Sequence, residues 1–227
     1  MVQELSKQAL YPDSDGQPMA DNTQQFRWIV TIKENLERLY AARDDVFVAG
    51  DLLWYPVEGE PKIRLAPDTL VVFGRPKGDR GSYRQWLEGN VPPQVVFEIL
   101  SPGNRTAEML RKQKFYERYG VEEYYIFDPD NWELTGLLRQ GDALAVIDNM
   151  KGWISPRLQI RFEPMDMDLQ IYCPNGRRFL TYGELGQQVD QLGEKLSAIE
   201  QQMTVVANRN QQLEAKLREM GIDPNDV

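Results

Sequence analysis

Two acids stand where an ionised carboxylate is costly. Glu98 lies inside VVFEIL, residues 95–100, with large apolar neighbours on both sides, so its charge calls for a cation or a metal as partner. Asp68 follows Pro67 at the head of the run TLVVF. It therefore sits at a strand end, where the backbone leaves room for a ligand. Read singly, Asp68 is an ordinary strand-start aspartate and Glu98 an ordinary ion-pair member. Glu108 and Lys112 are four residues apart, on one face of the helix that follows the Glu98 strand. The intervening SPGN turn brings that face back toward the strand's end, although an i,i+4 pair is also a common surface salt bridge. Two oxygen ligands on adjacent strands beside an ammonium are what metal-assisted phosphodiester hydrolysis requires. The ion lowers the pKa of a bound water, and the lysine orients it and offsets developing charge.

The composition narrows the chemistry. The 227 residues include no histidine and one cysteine, Cys173. That excludes a Ser-His-Asp triad, a Cys-His dyad, an HExxH zinc site, a thiolate-rich zinc site and an intrachain disulfide. Catalysis then rests on carboxylates, lysine, tyrosine or a metal bound through oxygen. Oxygen-only ligation suits hard ions, with Mg2+ as the default and Mn2+ as its substitute. The net charge is −9, yet residues 74–118 hold 9 basic and 5 acidic side chains, and the segment from Thr181 onward 4 basic and 8 acidic. The loop GRPKGDRGSYRQW, residues 74–86, offers Arg75, Lys77, Arg80 and Arg84 with two aromatics. It reads either as a flexible phosphate-contacting loop or as a solvent-exposed connection. No apolar run is long enough to span a membrane and the N-terminus lacks an export signal, so the expected location is cytoplasmic.

The elements that must position these residues follow from periodicity. Residues 1–20 carry Pro, Gly and Asp without apolar rhythm and read as an arm. Asn22 with Gln25 resembles a helix cap, and Phe26, Ile29, Val30, Leu36, Leu39 and Tyr40 fall on one helical face. Glu34 and Glu37 on that helix read as solvent-facing. Short β-rich runs follow at residues 46–55, 69–73, 95–100 and 124–127, with weaker ones at 132–138, 143–147 and 158–162. A helix over residues 105–119 lies between the third and fourth runs, packed through Leu110, Phe115, Tyr116 and Tyr119 and stopped by Gly120. The order reads as a mixed α/β sandwich.

From Leu185 the apolar positions recur at alternating spacings of four and three. Val189, Leu196, Met203, Asn210 and Leu217 take the a positions of a heptad, and Leu192, Ile199, Val206 and Leu213 take the d positions. Asn210 is then the lone polar a residue, a device that favours one register and two strands. A homodimer through a coiled coil is expected, the alternative being one helix folded back on its own domain.

The ordered set Pro67-Asp68, PQVVFEILSP at residues 93–102, Lys112 with Tyr116, and YGVEEYYIFDP at residues 119–129 resembles the Uma-two family of restriction endonucleases. That family belongs to the PD-(D/E)xK nuclease superfamily, and the resemblance covers roughly residues 22–165. It implies an α/β fold with a restriction-endonuclease-like mixed sheet flanked by helices. It also implies Asp68 and Glu98 as metal ligands and Lys112 as the catalytic lysine. The superfamily lysine stands two residues after the second acid, where this chain has Leu100, so Lys112 substitutes from the helix. The family's helix commonly has an aspartate where this chain has Glu108. Ser101 is a further hydrogen-bond donor near the site, while Tyr116 and Tyr119 read as core residues.

The expected organisation is an arm over residues 1–20, a restriction-endonuclease-like domain over 21–180, a coiled-coil helix over 181–221 and a tail over 222–227. The expected function is a divalent-metal-dependent endonuclease acting on DNA, with RNA as the other substrate. A catalytically inactive, nuclease-derived module that dimerises and recruits a partner through its coiled coil is the alternative.

Overall fold

The computed structural model describes residues 10–16, 18–103, 106–221 and 223. Half of the arm, the end of the turn before the second helix and nearly all of the tail thus lie outside the described residues. The chain divides into two units, Met1–Phe179 and Leu180–Val227.

In the first unit, helix α1 (Thr23–Leu39) is capped as the sequence predicts, the Asn22 side chain accepting the Gln25 N–H at 2.8 Å. Its buried face is Ile29, Ile32 and Leu36. Phe26 departs from the expected stripe and is exposed, because Ile32 sits nearer the centre of the buried arc.

Six strands form one sheet: β1 (Val46–Ala49), β3 (Thr69–Phe73), β5 (Val95–Ile99), β6 (Glu123–Asp128), β7 (Glu133–Gln140) and β8 (Ala143–Val146), in spatial order β1-β3-β5-β6-β7-β8. Neighbours are antiparallel except β5 and β6, which run parallel and are joined through helix α2 (Thr106–Tyr119). A parallel pair needs such a crossover. Gly120, at φ 93°, ends α2 in the left-handed conformation that suits glycine at this position.

The expected strand at 46–55 is two pieces. Asp51 takes a left-handed backbone, φ 48°, and breaks the run, so Trp54–Tyr55 (β2) leaves the sheet to pair with Tyr83–Arg84 (β4). The expected strand at 158–162 is displaced for a similar reason. Gln159 is left-handed, and β9 (Arg161–Met165) starts only after it, pairing with β10 (Asp168–Tyr172), which the sequence reading missed.

Strand alternation sorts the core into two faces. Val71, Val95, Phe97 and Ile99 pack under α1, with Phe162, Leu169 and Ile171 from β9 and β10. Leu70, Val72, Val96 and Tyr124 pack with Tyr116 of α2. Leu110 lies off that contact and is exposed, contrary to expectation.

The second unit is helix α3 (Tyr182–Glu219), opened by a reciprocal capping box between Thr181 and Glu184. None of its residues is buried. Val189, Leu192, Leu196, Ile199, Met203, Val206 and Leu213 are all exposed. Among the described residues no helix is long and apolar enough to cross a membrane.

Candidate active site

The two acids of the sequence reading meet through strand register. Thr69 pairs with Phe97 and Leu70 with Val96 in the antiparallel β3–β5 ladder. Continuing that register one residue sets Asp68 across from Glu98, near enough for the Glu98 charge to act on it. By alternation both acids share the face that α2 covers. Each is nearly inaccessible, Asp68 at 8% and Glu98 at 1% exposure.

Glu98 is held from α2. Lys112 Nζ donates to Glu98 Oε2 at 2.8 Å, and the Tyr116 hydroxyl donates to Oε1. Lys112 and Tyr116 are one helical turn apart, so a single face of α2 supplies both donors. Asp68 accepts the Ile99 N–H through Oδ2 at 2.6 Å. Glu108 stands at the edge of the group, 4.0 Å from the Lys112 ammonium.

The electrostatics follow from opposed anions in a sheltered place. Burial first, then the Glu98 charge, pushes the Asp68 carboxyl well above the usual carboxylate range, against the Ile99 N–H and Lys112. Burial would lower the Lys112 ammonium; the Glu98 charge and hydrogen bond, with Asp68 and Glu108 behind them, outweigh it and hold the pKa above the lysine norm. Burial and then Glu98 raise the Tyr116 phenol well above its ordinary value, so it stays a donor. The Tyr124 hydroxyl, which feels both acids, is buried without a hydrogen-bond partner among the described residues.

A cleft of about 350 Å³ opens over this group, lined among others by Asp68, Lys112, Glu108, Asp51, Arg64 and Gln25. Sequence reasoning missed Asp51. Its carboxyl is raised by burial, then by Asp15 and Glu98. The available signal was a polar residue after glycine inside an apolar run. It also read Tyr116 as core alone, although Tyr116 stands one turn beyond Lys112. Ser101 donates to Asp21 Oδ2 at 2.6 Å rather than to either acid. Gln25, whose own amide donates to the Ile99 carbonyl at 2.8 Å, ties α1 to the same strand end. Glu34 and Glu37 face solvent and pair with Lys33.

The donor set suits a hard cation. Among the described residues no cluster of three or more acids, histidines or cysteines is built to hold a metal. Of the two opposed acids Asp68 lines the cleft, while Glu98 has donors on both oxygens, and Mg2+ is commonly held by one or two carboxylates with water and phosphate oxygens completing the shell. Asp68 lines the open cleft and uses one oxygen on Ile99, leaving the other for such an ion.

The four loop cations, read from sequence either as phosphate contacts or as part of a solvent-exposed connection, bond within the protein. Arg75 and Arg80 both pair with Glu88, and Arg80 also lies over the Phe47 ring at 3.9 Å. Lys77 donates to the Tyr40 and Ala41 carbonyls, and Arg84 to the Tyr11 carbonyl. Each is engaged within the protein, fixing the loop rather than leaving it flexible.

A mixed sheet with two opposed acids at one strand end, and a helix lysine bound to one of them, defines an α/β protein with a carboxylate–lysine cleft. The chain belongs to the Uma2 family, whose model, described as "Putative restriction endonuclease", matches residues 12–159. A solved structure similar to it is described as a "putative nuclease belonging to DUF820" from Anabaena variabilis. That protein is 16% identical, with a TM-score of 0.45, the match covering 63% of this chain and 78% of that one. No curated protein matches the chain.

Proposed function

We propose that this protein is a divalent-metal-dependent endonuclease that hydrolyses phosphodiester bonds in DNA, with Mg2+ as its ion and Mn2+ as an effective substitute. The carrying observation is the opposition of Asp68 and Glu98 beneath a cleft that Lys112 also lines. Asp68 and Glu98 would hold the ion, which when bound lowers the pKa of a water and offsets phosphate charge. Tyr116 fixes the orientation of the Glu98 carboxylate. Lys112 keeps a positive charge at the reacting phosphate and orients the attacking water, and Glu108 steadies that ammonium from the cleft edge. Residues 21–180 form the nuclease domain in this reading. Residues 181–221 pair with a second copy through the exposed heptad seam, with Asn210 setting the register.

Cleavage of supercoiled and linear DNA, and of RNA, in Mg2+, Mn2+ and EDTA tests the reading. It expects metal-dependent DNA cleavage that Asp68→Asn and Glu98→Gln each reduce by at least about 10³-fold while remaining folded. Failure of the folded wild type to cleave any of these substrates would overturn it.

One observation favours a second reading. Both Glu98 oxygens already have donors, Lys112 and Tyr116, as in a closed structural ion pair. A nuclease-derived module without activity, recruiting a partner through α3, would keep that pair permanently. Calorimetric titration separates the two, since the module takes up neither Mg2+ nor Mn2+ at millimolar concentration.

A further inference from the structure

A groove beside the cleft, running along α2, carries a charge pattern of which only Lys112 takes part in holding the two acids. It encloses about 630 Å³ and is lined by Lys62, Arg64, Arg111, Lys112, Lys114 and Arg118 against one acid, Glu108. In a chain of net charge −9 this is a concentrated positive strip. Arg111, Lys114 and Arg118 are exposed and recur at intervals of three and four on α2, which puts them along one side of the helix.

Their bonding sets them apart from the loop cations. Among the described residues the side chains of Lys62, Arg111 and Lys114 make no hydrogen bond or ion pair. Arg118 lies only over the Tyr119 ring, at 5.4 Å. Arg75, Lys77, Arg80 and Arg84 are by contrast all bonded to acids or carbonyls of the protein. Like charges at helical spacing repel mildly, so the stripe lowers the stability of α2 unless an outside anion meets it. The groove is continuous with the cleft, because Arg64, Leu65, Glu108 and Lys112 line both.

We propose that this groove is the track for the sugar–phosphate backbone of the nucleic-acid strand whose scissile phosphate enters the cleft. Lys62, Arg111, Lys114 and Arg118 contact its phosphates. The proposal rests on the nuclease reading and replaces the 74–86 loop as the phosphate-binding surface. An acidic peptide would feel the same charge, but continuity with the cleft favours a polymer that supplies both the groove's anions and the reacting group.

The test is fluorescence anisotropy of end-labelled duplex and single-stranded oligonucleotides in EDTA, over a series of salt concentrations. It compares the wild type with an Arg111→Gln, Lys114→Gln, Arg118→Gln triple variant. A second triple, Lys195→Gln, Arg209→Gln, Lys216→Gln, removes equal charge from α3. Each lost phosphate contact lowers the slope of log K against log salt by about 0.9 on a duplex or about 0.7 on a single strand. The α2 triple should therefore bind at least about tenfold more weakly with a slope smaller by about two to three, at a Tm no lower than that of the wild type. The α3 triple should behave as the wild type.

Equal losses in both triples, or none in the α2 triple, overturn the proposal. So does polyglutamate that competes as well as DNA of equal charge. Plasmid cleavage in Mg2+, run in parallel, keeps the two ideas apart. Cleavage by a wild type whose DNA binding ignores the α2 triple removes the groove and leaves the nuclease. Groove-dependent binding without cleavage keeps the track and removes the nuclease.

Discussion

Asp68 and Glu98 face each other across the β3–β5 ladder, one residue beyond the last paired position and on the side of the sheet that α2 covers. Two buried anions so placed repel. The protein meets that repulsion with Lys112 and Tyr116 on Glu98, and with an Asp68 carboxyl that holds its proton more tightly than usual. A doubly charged ion would replace the proton and relieve the opposition. In the proposed function the same residues thus set stability, pH response and metal affinity together.

Removing the ammonium alone leaves Glu98 buried with its charge uncompensated. Lys112→Met should cost about 3–5 kcal/mol in urea unfolding of the metal-free protein. The Glu98→Gln, Lys112→Met double variant should recover most of that loss, because it removes the charge as well. A double variant as unstable as the single one would show that Lys112 acts through packing.

The pH dependence has a defined sign. With its folded pKa raised, Asp68 keeps a proton that the unfolded chain releases above about pH 4. Its contribution to metal-free stability is therefore full below that point and falls as pH rises toward the folded value. Asp68→Asn, neutral throughout, should flatten the profile of Tm against pH from 4 upward in EDTA. An identical slope in wild type and variant would contradict the raised carboxyl.

Asp51 combines a left-handed backbone with a place in the cleft. Asn, like Asp, offsets the Cβ clash of that conformation through its short polar side chain, whereas Ala bears it in full, at about 1–2 kcal/mol. Asp51→Asn should keep the Tm and weaken Mn2+ binding about tenfold, the loss usual for an outer partner of a metal site. Asp51→Ala should lose both stability and affinity. Unaltered Mn2+ affinity in both would confine Asp51 to the turn.

The α3 seam leads to a statement about mass. Leu196→Asp with Ile199→Asp should turn a dimer into a monomer in multi-angle light scattering, because a charge at a and d positions opposes knobs-into-holes packing. The same mass in wild type and variant would defeat the pairing.

Where structure follows from local pattern, the sequence was readable. The Asn22 cap, the apolar runs of β3 and β5 and the Gly120 stop are all short-range signals. The break at Asp51 and the late start of β9 were not, since each turns on one left-handed residue that the pattern does not mark. Asp68, Glu98 and Lys112 are each ordinary alone and were legible as a set only through their order along the chain and the resemblance that order carries. The partners of the loop cations were hidden. Glu88 lies outside the loop, and the Tyr40 and Tyr11 carbonyls are brought to it only by the tertiary fold. Tyr116 looked like any core tyrosine until the register of β5 beneath α2 gave its hydroxyl a carboxylate.

Crystals soaked in Mn2+ and measured for anomalous scattering test the central claim most directly. A peak is expected at coordination distance from both the Asp68 and the Glu98 carboxylates, absent in Glu98→Gln. No peak at saturating Mn2+, with the Lys112–Glu98 pair intact, would contradict it.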